Sequence, residues 1–491
     1  MMLLSSLLNG ISDVSSDVDC EITSITLDSR EVRQGCLFVA LKGTQQHGLA
    51  YVNVAEEQGA VAVIWEADKD VSVDELVIPQ FEISDLRDSR NYLGLIADRF
   101  YQSPSQSLNI VGITGTDGKT SISHFMAQAL EQCAVIGTLG IGTLDNLQKA
   151  THTTPDVLHV HQHLKEMKKK GVETVAMEVS SHALDQGRVA NVAFDVAVLT
   201  NLSRDHLDYH KTLEAYAEAK EKLFHWDSLK AVVLNLDDEF GYELSTRTKN
   251  TIGYGIGKVE NYPEGSLIAE NAILTSNGVS AQIHYGDEQG ELSVAVLGRF
   301  NLSNLLAALG AMIGLDIPLQ EALAKLNKVQ TVAGRMEKIA NSELSDVLTV
   351  VDYAHTPNAL ETILKALREH TSQNLICVFG CGGDRDAGKR PLMAAVAEQY
   401  ADVVIVTDDN PRTENPEEII QDIVSGFEKP ESVTVEHDRA SAIKQALKQA
   451  KAGDAVLIAG KGHENVQILA TGSVPFSDRE QANKVLQELA A

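Results

Sequence analysis

Short, continuous apolar runs alternate along the chain with stretches whose apolar residues recur at helical spacing. Continuous apolar runs of this kind are typical of strands in a parallel sheet that is covered on both faces. The predicted strands are residues 22–27, 36–41, 62–65, 108–111, 174–179, 194–202, 347–351, 375–379, 403–407 and 455–459. The predicted helices include residues 51–58, 86–101 and 213–224. This alternation predicts an α/β protein with mostly parallel sheets.

Proline and serine residues interrupt both periodicities between residues 101 and 107, and we interpret this stretch as a linker. A chain of 491 residues is too long for one ordinary core, so roughly three domains are expected. We predict an N-terminal α/β domain at residues 1–105, a central domain with a mostly parallel sheet at 106–335, and a C-terminal Rossmann-like domain at 336–491.

The most specific motif follows the apolar run at residues 108–111 and leads into a helical stretch. It consists of Gly115, Thr116, Asp117, Gly118, Lys119, Thr120 and Ser121. The glycines of such a loop let backbone N–H groups converge on a polyphosphate, lysine reaches the β- and γ-phosphates, and the hydroxyl after it can ligate Mg²⁺. The usual motif has glycine at position 113, where this chain has Ile113. A glycine-rich turn alone would not explain Lys119 followed by Thr120, so the motif predicts a nucleoside triphosphate site.

Polar side chains gather after the predicted strands at residues 174–179 and 194–202. Ligands bind at the carboxyl ends of parallel strands, here beside the phosphate loop. Glu178 and His206 could complete a metal shell, although Mg²⁺ prefers oxygen ligands, and hydrogen-bonded strand-end side chains are the alternative. From side-chain physics alone, Lys220 and Lys222 are predicted to be solvated.

Polar and glycine residues also follow each predicted strand of the C-terminal third. They form four loops, at residues 352–355, 380–390, 408–412 and 460–464. Loops at one edge of an open sheet would make a single cleft, and the loop at 382–390 is cationic within an acidic chain. Turn glycines and surface charges are the alternative interpretation.

The formal net charge of −28 argues against nucleic-acid binding, which needs a basic face. Residues 1–10 lack the positive region and long apolar core of a signal peptide, and no membrane span is predicted. Five cysteines without zinc-like spacing indicate buried thiols and a reducing cytoplasm.

Taken together, the motifs resemble those of the Mur ligase family of peptidoglycan precursor synthesis. The matching stretches are residues 115–120, 178–182, 201–208, 352–357 and 409–412, in family order along the chain. The family usually has asparagine where this chain has Asp117. The resemblance implies three domains, which bind a UDP-linked substrate, ATP and an amino acid in turn.

The resemblance also implies roles for individual residues. For the UDP-linked substrate these are Leu27, Ser29, Gln45, Thr153, Thr154, Ser180, Gln186 and Arg188. For ATP they are the loop residues 115–121 with Asn304, Arg335 and Asp352, and for Mg²⁺ they are Thr120, Glu178, His206 and Lys220 as a carbamate. Lys119, Lys220 and His206 are the implied catalytic residues. For the amino acid they are Arg385, Asp409, Asn410, Pro411, Arg412, Gly460 and Glu464.

The implied activity is an ATP-dependent, ADP-forming ligation by a cytoplasmic protein that we expect to be a monomer. It joins meso-diaminopimelate to the D-Glu γ-carboxylate of UDP-N-acetylmuramoyl-L-Ala-D-Glu through an acyl phosphate. A guanidinium such as that of Arg412 can grip the extra carboxylate that distinguishes diaminopimelate from L-lysine. The alternatives are the same reaction with L-lysine, folylpolyglutamate synthesis, and a nucleotide-dependent binding protein without synthetic activity.

Overall fold

The computed structural model describes residues 1–43, 46–68, 77–84, 86–87, 91–339 and 346–490. These residues form two units, of which the first contains residues 1–252 with 311–316 and the second contains residues 253–310 with 317–491. Among the described helices, none combines the length and the apolar character needed to cross a bilayer.

The first unit begins with a small four-stranded parallel sheet. Its N-terminal elements are β1 (Met2–Leu3), α1 (Leu4–Leu7), β2 (Glu21–Ile22), β3 (Ser24–Thr26), β4 (Cys36–Ala40), α2 (Val52–Glu57), β5 (Ala60–Glu66), β6 (Gln80–Ile83) and α3 (Tyr92–Tyr101). The sheet order is β3-β4-β5-β6. The strand predicted at 22–27 is therefore two strands, because β2 pairs with β1 instead of joining the sheet.

A larger, mostly parallel sheet follows in the first unit. Its elements are β7 (Asn109–Thr114), α4 (Lys119–Ala129), β8 (Cys133–Gly137), β9 (Gly140–Gly142), α5 (Val157–Lys169), β10 (Thr174–Glu178), α6 (Ser181–Asp185), β11 (Val196–Leu199), α7 (Leu207–His210), α8 (Leu213–Glu221), β12 (Ala231–Asn235) and α9 (Glu239–Ser245). β7 lies between β10 and β11 and is parallel to both. The carboxyl ends of these three strands therefore meet at one edge.

The second unit contains a set of antiparallel strands followed by a β/α alternation, and two of its elements include residues 251–252 and 311–314 of the first unit. Its elements are β13 (Thr251–Ile256), β14 (Leu267–Thr275), β15 (Gly278–Tyr285), β16 (Glu288–Val294), α10 (Arg299–Gly314), α11 (Leu319–Leu326), β17 (Glu337–Lys338), β18 (Leu348–Asp352), α12 (Pro357–Arg368), β19 (Leu375–Phe379), α13 (Lys389–Tyr400), β20 (Val403–Val406), α14 (Pro416–Val424), β21 (Thr434–Val435), α15 (Arg439–Gln449), β22 (Ala455–Ala459), β23 (Val466–Leu469), β24 (Gly472–Pro475) and α16 (Asp478–Ala490). The sequence did not predict the antiparallel set β14–β16.

The six-stranded sheet of the second unit has the order β17-β18-β22-β19-β20-β21 and is parallel except for β17. Successive side chains of a strand point to opposite faces. Accordingly, Cys377 packs into a core with residues of α12, α13 and α14, whereas Ile376 and Val378 pack into a second core with α15 and α16. Both faces are covered, which explains the continuous apolar runs and confirms the predicted α/β class.

Residues 101–107 connect α3 to β7, where the sequence predicted a linker, and part of this connection is buried. Pro104 and Ser105 are buried, and the Ser105 Oγ accepts a hydrogen bond from the Ala193 N–H at 3.0 Å. The helix predicted at 86–101 begins only at Tyr92. The domain boundaries at residues 105 and 335 stay predictions.

Candidate active site

The predicted phosphate loop connects β7 to the N-terminus of α4. Gly115 has φ +141°, and a Cβ there would lie 1.7 Å from the Thr200 Oγ1, so only glycine fits. Asn201 holds the loop from the end of β11, because its carbonyl accepts from the Thr116 N–H and its side-chain oxygen accepts from the Asp117 N–H. Ile113 is buried inside β7, opposite Glu178, so the departure from the usual motif lies in the strand and not in the loop.

Two lysine side chains converge on the carbonyl of Gly115. Lys119 Nζ donates to this oxygen at 2.8 Å and to the Thr116 carbonyl at 2.7 Å. Lys220 Nζ, from α8, donates to the same Gly115 oxygen at 2.8 Å. The Tyr216 ring lies 4.2 Å from the Lys220 Nζ, one helical turn earlier.

The prediction of a solvated side chain was wrong for Lys220, which is 1% exposed. Burial, with the nearby charge of Lys119, lowers the pKa of Lys220 to about 6, so its amine is largely neutral at pH 7. Lys222 is exposed, as predicted, and pairs with Asp185 at 2.9 Å. The two lysines differ because Lys220 lies on the face of α8 that carries Tyr216 toward the loop.

Glu178, at the end of β10, is a buried carboxylate beside the loop. It accepts hydrogen bonds from the Thr120 Oγ1 at 3.0 Å, the Thr138 N–H at 3.0 Å and the Thr138 Oγ1 at 3.1 Å. Burial raises the pKa of Glu178 above its ordinary value, against the opposing effect of Lys119 and these donors. A Cβ on Gly137 would lie 2.1 Å from the Glu178 Oε1, so glycine makes room for the carboxylate. The oxygens of Glu178 and Thr120 are donors of the type that Mg²⁺ prefers.

His206 occupies a different environment from Glu178. It is exposed and has φ +53°. Its Nε2 lies 3.5 Å from the Asp205 Oδ2, and its ring centroid lies 4.9 Å from that of His182. Across the described part of the chain, no three His, Cys, Asp or Glu side chains are grouped to hold a metal ion. The oxygen donors fit Mg²⁺, and the role of His206 as a ligand stays a prediction.

Three of the residues implied for the UDP-linked substrate line one cavity of about 240 Å³ in the first unit. They are Leu27, Gln186 and Arg188, and Arg87 and Asn91 line the same cavity. No motif around Arg87 or Asn91 indicated a binding role, because Arg87 precedes α3 and Asn91 caps the N-terminus of this helix. That these three residues line one cavity is consistent with binding of a common ligand, and their role in binding the UDP-linked substrate stays a prediction.

The other residues implied for this substrate lie in three places. Thr154 is buried, and its Oγ1 donates to the Glu178 carbonyl at 2.9 Å and contacts the Ser180 Oγ at 3.3 Å. The Thr153 Oγ1 lies 3.0 Å from that of Thr138, which also contacts Glu178. Ser29 begins a short 3₁₀ turn, and Gln45 lies outside the described residues.

The remaining residues implied for ATP belong to the second unit. Asp352 is buried at the end of β18 and accepts from the Met336 and Ala354 N–H groups at 2.7 Å each, while burial raises its pKa. Arg335 lies over the Tyr353 ring, 5.3 Å from its centroid. Asn304 is buried in α10 and donates to the Asn301 Oδ1 at 3.1 Å.

The residues predicted to bind the amino acid follow the carboxyl ends of β19, β20 and β22, and their role stays a prediction. Arg412 has φ +53° and its Nη1 donates to the Gly383 carbonyl at 2.7 Å. Asn410 Nδ2 donates to the Glu464 Oε2 at 2.9 Å. The other implied residues there are an exposed Arg385 and a buried Asp409, Pro411 and Gly460.

Sequence reasoning missed three buried cations around this site. They are Lys461, which contacts Asn410 and Glu464; Arg439, which pairs with Asp478 at 2.7 Å; and Arg390, which pairs with Glu414 at 2.7 Å. Arg390 and Lys461 lie in the polar loops predicted at residues 380–390 and 460–464, whereas no predicted loop contains Arg439.

Three family models match the chain. They are described as Mur ligase family, catalytic domain at residues 21–101; Mur ligase middle domain at 113–312; and Mur ligase, glutamate ligase domain at 334–462. Together they cover more than half of the chain, so the chain belongs to the Mur ligase family.

Two relatives and one solved structure within the family share one name. The UDP-N-acetylmuramoyl-L-alanyl-D-glutamate–2,6-diaminopimelate ligase of Ectopseudomonas mendocina is 48% identical over 474 residues, which are 95% of each chain. The ligase of the same name from Pseudomonas aeruginosa is also 48% identical, over 95% of this chain and 96% of its own. A solved structure with that name is 37% identical, covers 96% of both chains and superposes with a TM-score of 0.72.

Proposed function

We propose that this chain catalyses the ATP-dependent joining of meso-diaminopimelate to the D-Glu γ-carboxylate of UDP-N-acetylmuramoyl-L-Ala-D-Glu, with release of ADP and phosphate. The full-length relationship to ligases of that name is the main support. A phosphate loop beside two lysines and a buried carboxylate, and a polar site at the edge of a second sheet, fit the two halves of this reaction.

Activation of the carboxylate is the first half. An amine does not displace hydroxide from a carboxylate at neutral pH, so the γ-phosphoryl group of ATP passes to the γ-carboxylate and forms an acyl phosphate with release of ADP. Two anions must approach each other, and the Lys119 ammonium beside the loop lowers that repulsion. Glu178 and Thr120 would hold Mg²⁺, which when bound neutralises charge on the phosphates. Asn304, Arg335 and Asp352 are proposed to contact ATP.

Lys220 is proposed to act as a carbamate. With its pKa lowered to about 6, the amine is largely neutral at pH 7, which is the form that can add to CO₂. The addition forms an N–C bond and releases one proton, and it replaces the neutral amine by an anion with two oxygens. Such a group, beside the loop, could help to position a metal ion.

Amide formation is the second half. The amine of diaminopimelate attacks the acyl carbon, phosphate leaves the tetrahedral intermediate, and the new amide nitrogen loses a proton. Arg412, Asn410 and Glu464 are proposed to recognise the second amino-acid end of this substrate, which L-lysine lacks. A pocket built for a charged group rejects analogues without it by roughly 10⁴-fold or more.

The test is ADP release by the pure protein with ATP, Mg²⁺ and UDP-N-acetylmuramoyl-L-Ala-D-Glu, with meso-diaminopimelate or L-lysine added in turn. We expect release with diaminopimelate and very little with lysine, and Lys119→Ala should abolish most of it. Release that depends on lysine alone would keep the reaction and overturn the assignment of the pocket. Release that depends on neither would favour a nucleotide-dependent binding protein, and glutamate addition to a folate would favour folylpolyglutamate synthesis.

We also propose that the protein is a cytoplasmic monomer. All five cysteines are free thiols, four of them buried, which is consistent with a reducing compartment. The relatives' names refer to UDP-linked precursors, which are consistent with a cytoplasmic reaction.

A further inference from the structure

Lys461 is a fully buried lysine that the proposed reaction does not yet use. Its side chain is 0% exposed, and one residue, Gly460, separates it from the end of β22. Lysine is almost never fully buried unless its charge is paired, because removing an ammonium group from water costs several kcal/mol or more. The partners of Lys461 therefore indicate what its burial serves.

Both partners of Lys461 are residues proposed to contact the amino-acid substrate. Its Nζ donates to the Asn410 Oδ1 at 2.9 Å and to the Glu464 Oε2 at 2.9 Å. The same Asn410 oxygen accepts from the Ile468 N–H at 2.9 Å, and the Asn410 Nδ2 donates to the Glu464 Oε2 at 2.9 Å. Lys461, Asn410 and Glu464 thus form a closed triangle of hydrogen bonds.

The triangle fixes which way each polar group faces. An asparagine amide offers a carbonyl acceptor on one side and two N–H donors on the other. Here two donors occupy the carbonyl side, so the amide cannot reverse without losing both bonds. One N–H of the amide and the Glu464 Oε1 make no hydrogen bond among the described residues.

The ammonium also sets the charge of Glu464. Burial opposes the ionised form, but the hydrogen bonds from Lys461 and Asn410 outweigh it, and the pKa of Glu464 lies below its ordinary value. Glu464 therefore stays anionic and can accept hydrogen bonds from a substrate ammonium group.

We propose that Lys461 is a positioning residue that determines specificity for the second amino-acid end of the substrate. It orients Asn410 so that an amide N–H faces the substrate carboxylate, and it orients Glu464 so that a carboxylate oxygen faces the substrate ammonium group. This inference rests on the proposed function, because it assumes that Asn410 and Glu464 face diaminopimelate.

The test is a comparison of the steady-state constants of the wild-type protein and Lys461→Met. The variant keeps a long side chain but removes two charge-assisted hydrogen bonds, so KM for meso-diaminopimelate should rise roughly 10- to 100-fold. KM for ATP and for the UDP-linked dipeptide should change by less than about twofold, since uniform damage to the fold would alter all three. Lys444→Met, which removes a surface lysine paired with Glu488, is the matched control and should behave as the wild type.

The following results separate a role of Lys461 in substrate recognition from general damage to the fold and from failure of the proposed function. Trapping of the acyl phosphate with hydroxylamine, without amino acid, should be equal in the wild type and Lys461→Met. An unchanged KM for diaminopimelate, or an equal rise of all three KM values, would overturn the role of Lys461. If Lys461→Met does not fold, Lys461→Gln, which keeps a neutral donor, replaces it in the test. Lys461→Gln must then show the same selective rise in KM for diaminopimelate. A wild-type KM for diaminopimelate in this variant would reject the proposal. A wild-type protein without diaminopimelate-dependent ADP release would instead reject the proposed function.

Discussion

Single residues around Glu178 show how closely the candidate site is packed. The carboxylate is held by three hydrogen bonds from Thr120 and Thr138, and it occupies the space that a side chain at position 137 would need. The same logic applies at Gly115, where Thr200 fills the corresponding space. Glycine at these positions is therefore a requirement of contact and not only of a flexible loop.

Gly137→Ala should strongly reduce ligase activity. The new methyl carbon would lie 2.1 Å from the Glu178 Oε1, so the carboxylate must move, and a displacement of about 1 Å in a catalytic group can cost roughly 100-fold in rate. The measurement is kcat/KM from ADP release. Gly171→Ala is the control: its methyl group would meet nothing within 4 Å, and although the φ of +80° strains alanine and lowers stability, the variant should keep wild-type activity. Equal activity in both variants would contradict the proposed importance of the Glu178 position.

At the scale of elements, the connection at residues 104–107 is more buried than its composition indicates. Proline and serine normally indicate an exposed connection, but here a 3₁₀ turn (Pro104–Ser107) packs under β7 and receives a hydrogen bond from Ala193. Ser105 thus supplies the acceptor for the N–H of Ala193, which is a half-buried residue.

Ser105→Ala should lower the free energy of unfolding by about 0.5–1.5 kcal/mol, because it removes the hydrogen bond from the half-buried Ala193 N–H. Denaturant unfolding followed by circular dichroism measures the change. Ser107 in the same turn is exposed, so Ser107→Ala should change stability by no more than about 0.5 kcal/mol. Equal stability of the two variants would show that the hydrogen bond between Ala193 and Ser105 does not stabilise the fold.

At the scale of the whole molecule, buried histidines make stability depend on pH. His370 at the end of α12 is 8% exposed; its Nε2 accepts from the Gly298 N–H at 2.7 Å and its Nδ1 lies 2.6 Å from the Thr275 carbonyl oxygen. A protonated ring could not accept at Nε2. Burial lowers the pKa of His370 below its ordinary value near 6.5, so the unfolded chain binds this proton more readily than the folded chain does.

The stability that neutral His370 contributes is complete above about pH 6.5 and is lost as the pH falls below it. We expect His370→Gln to make the free energy of unfolding depend less steeply on pH between about 7 and 5, by up to about 1.4 kcal/mol per pH unit. Urea titrations at several pH values give the slope, with His152→Gln at an exposed histidine as the control. Identical slopes in the wild type and His370→Gln would show that His370 does not contribute to the acid sensitivity.

The sequence by itself determined the α/β class, the phosphate loop and the positions of the polar strand ends. These features depend on local pattern, because a strand covered on both faces needs a continuous apolar run and a phosphate loop needs glycines at fixed spacing. The order of strands then brings Glu178 and Asn201 to the loop, as a parallel sheet requires. Family resemblance, not side-chain physics, indicated that Lys220 belongs there.

Only the tertiary structure decided which charges are buried and what surrounds them. Lys220, Lys461 and Arg439 look like ordinary surface cations in the sequence, since each finds its partner tens to hundreds of residues away or in a neighbouring loop. Lys222, two residues from Lys220, remains in solvent. The cost of burying a charge depends on partners brought together by folding, and a local pattern does not contain them.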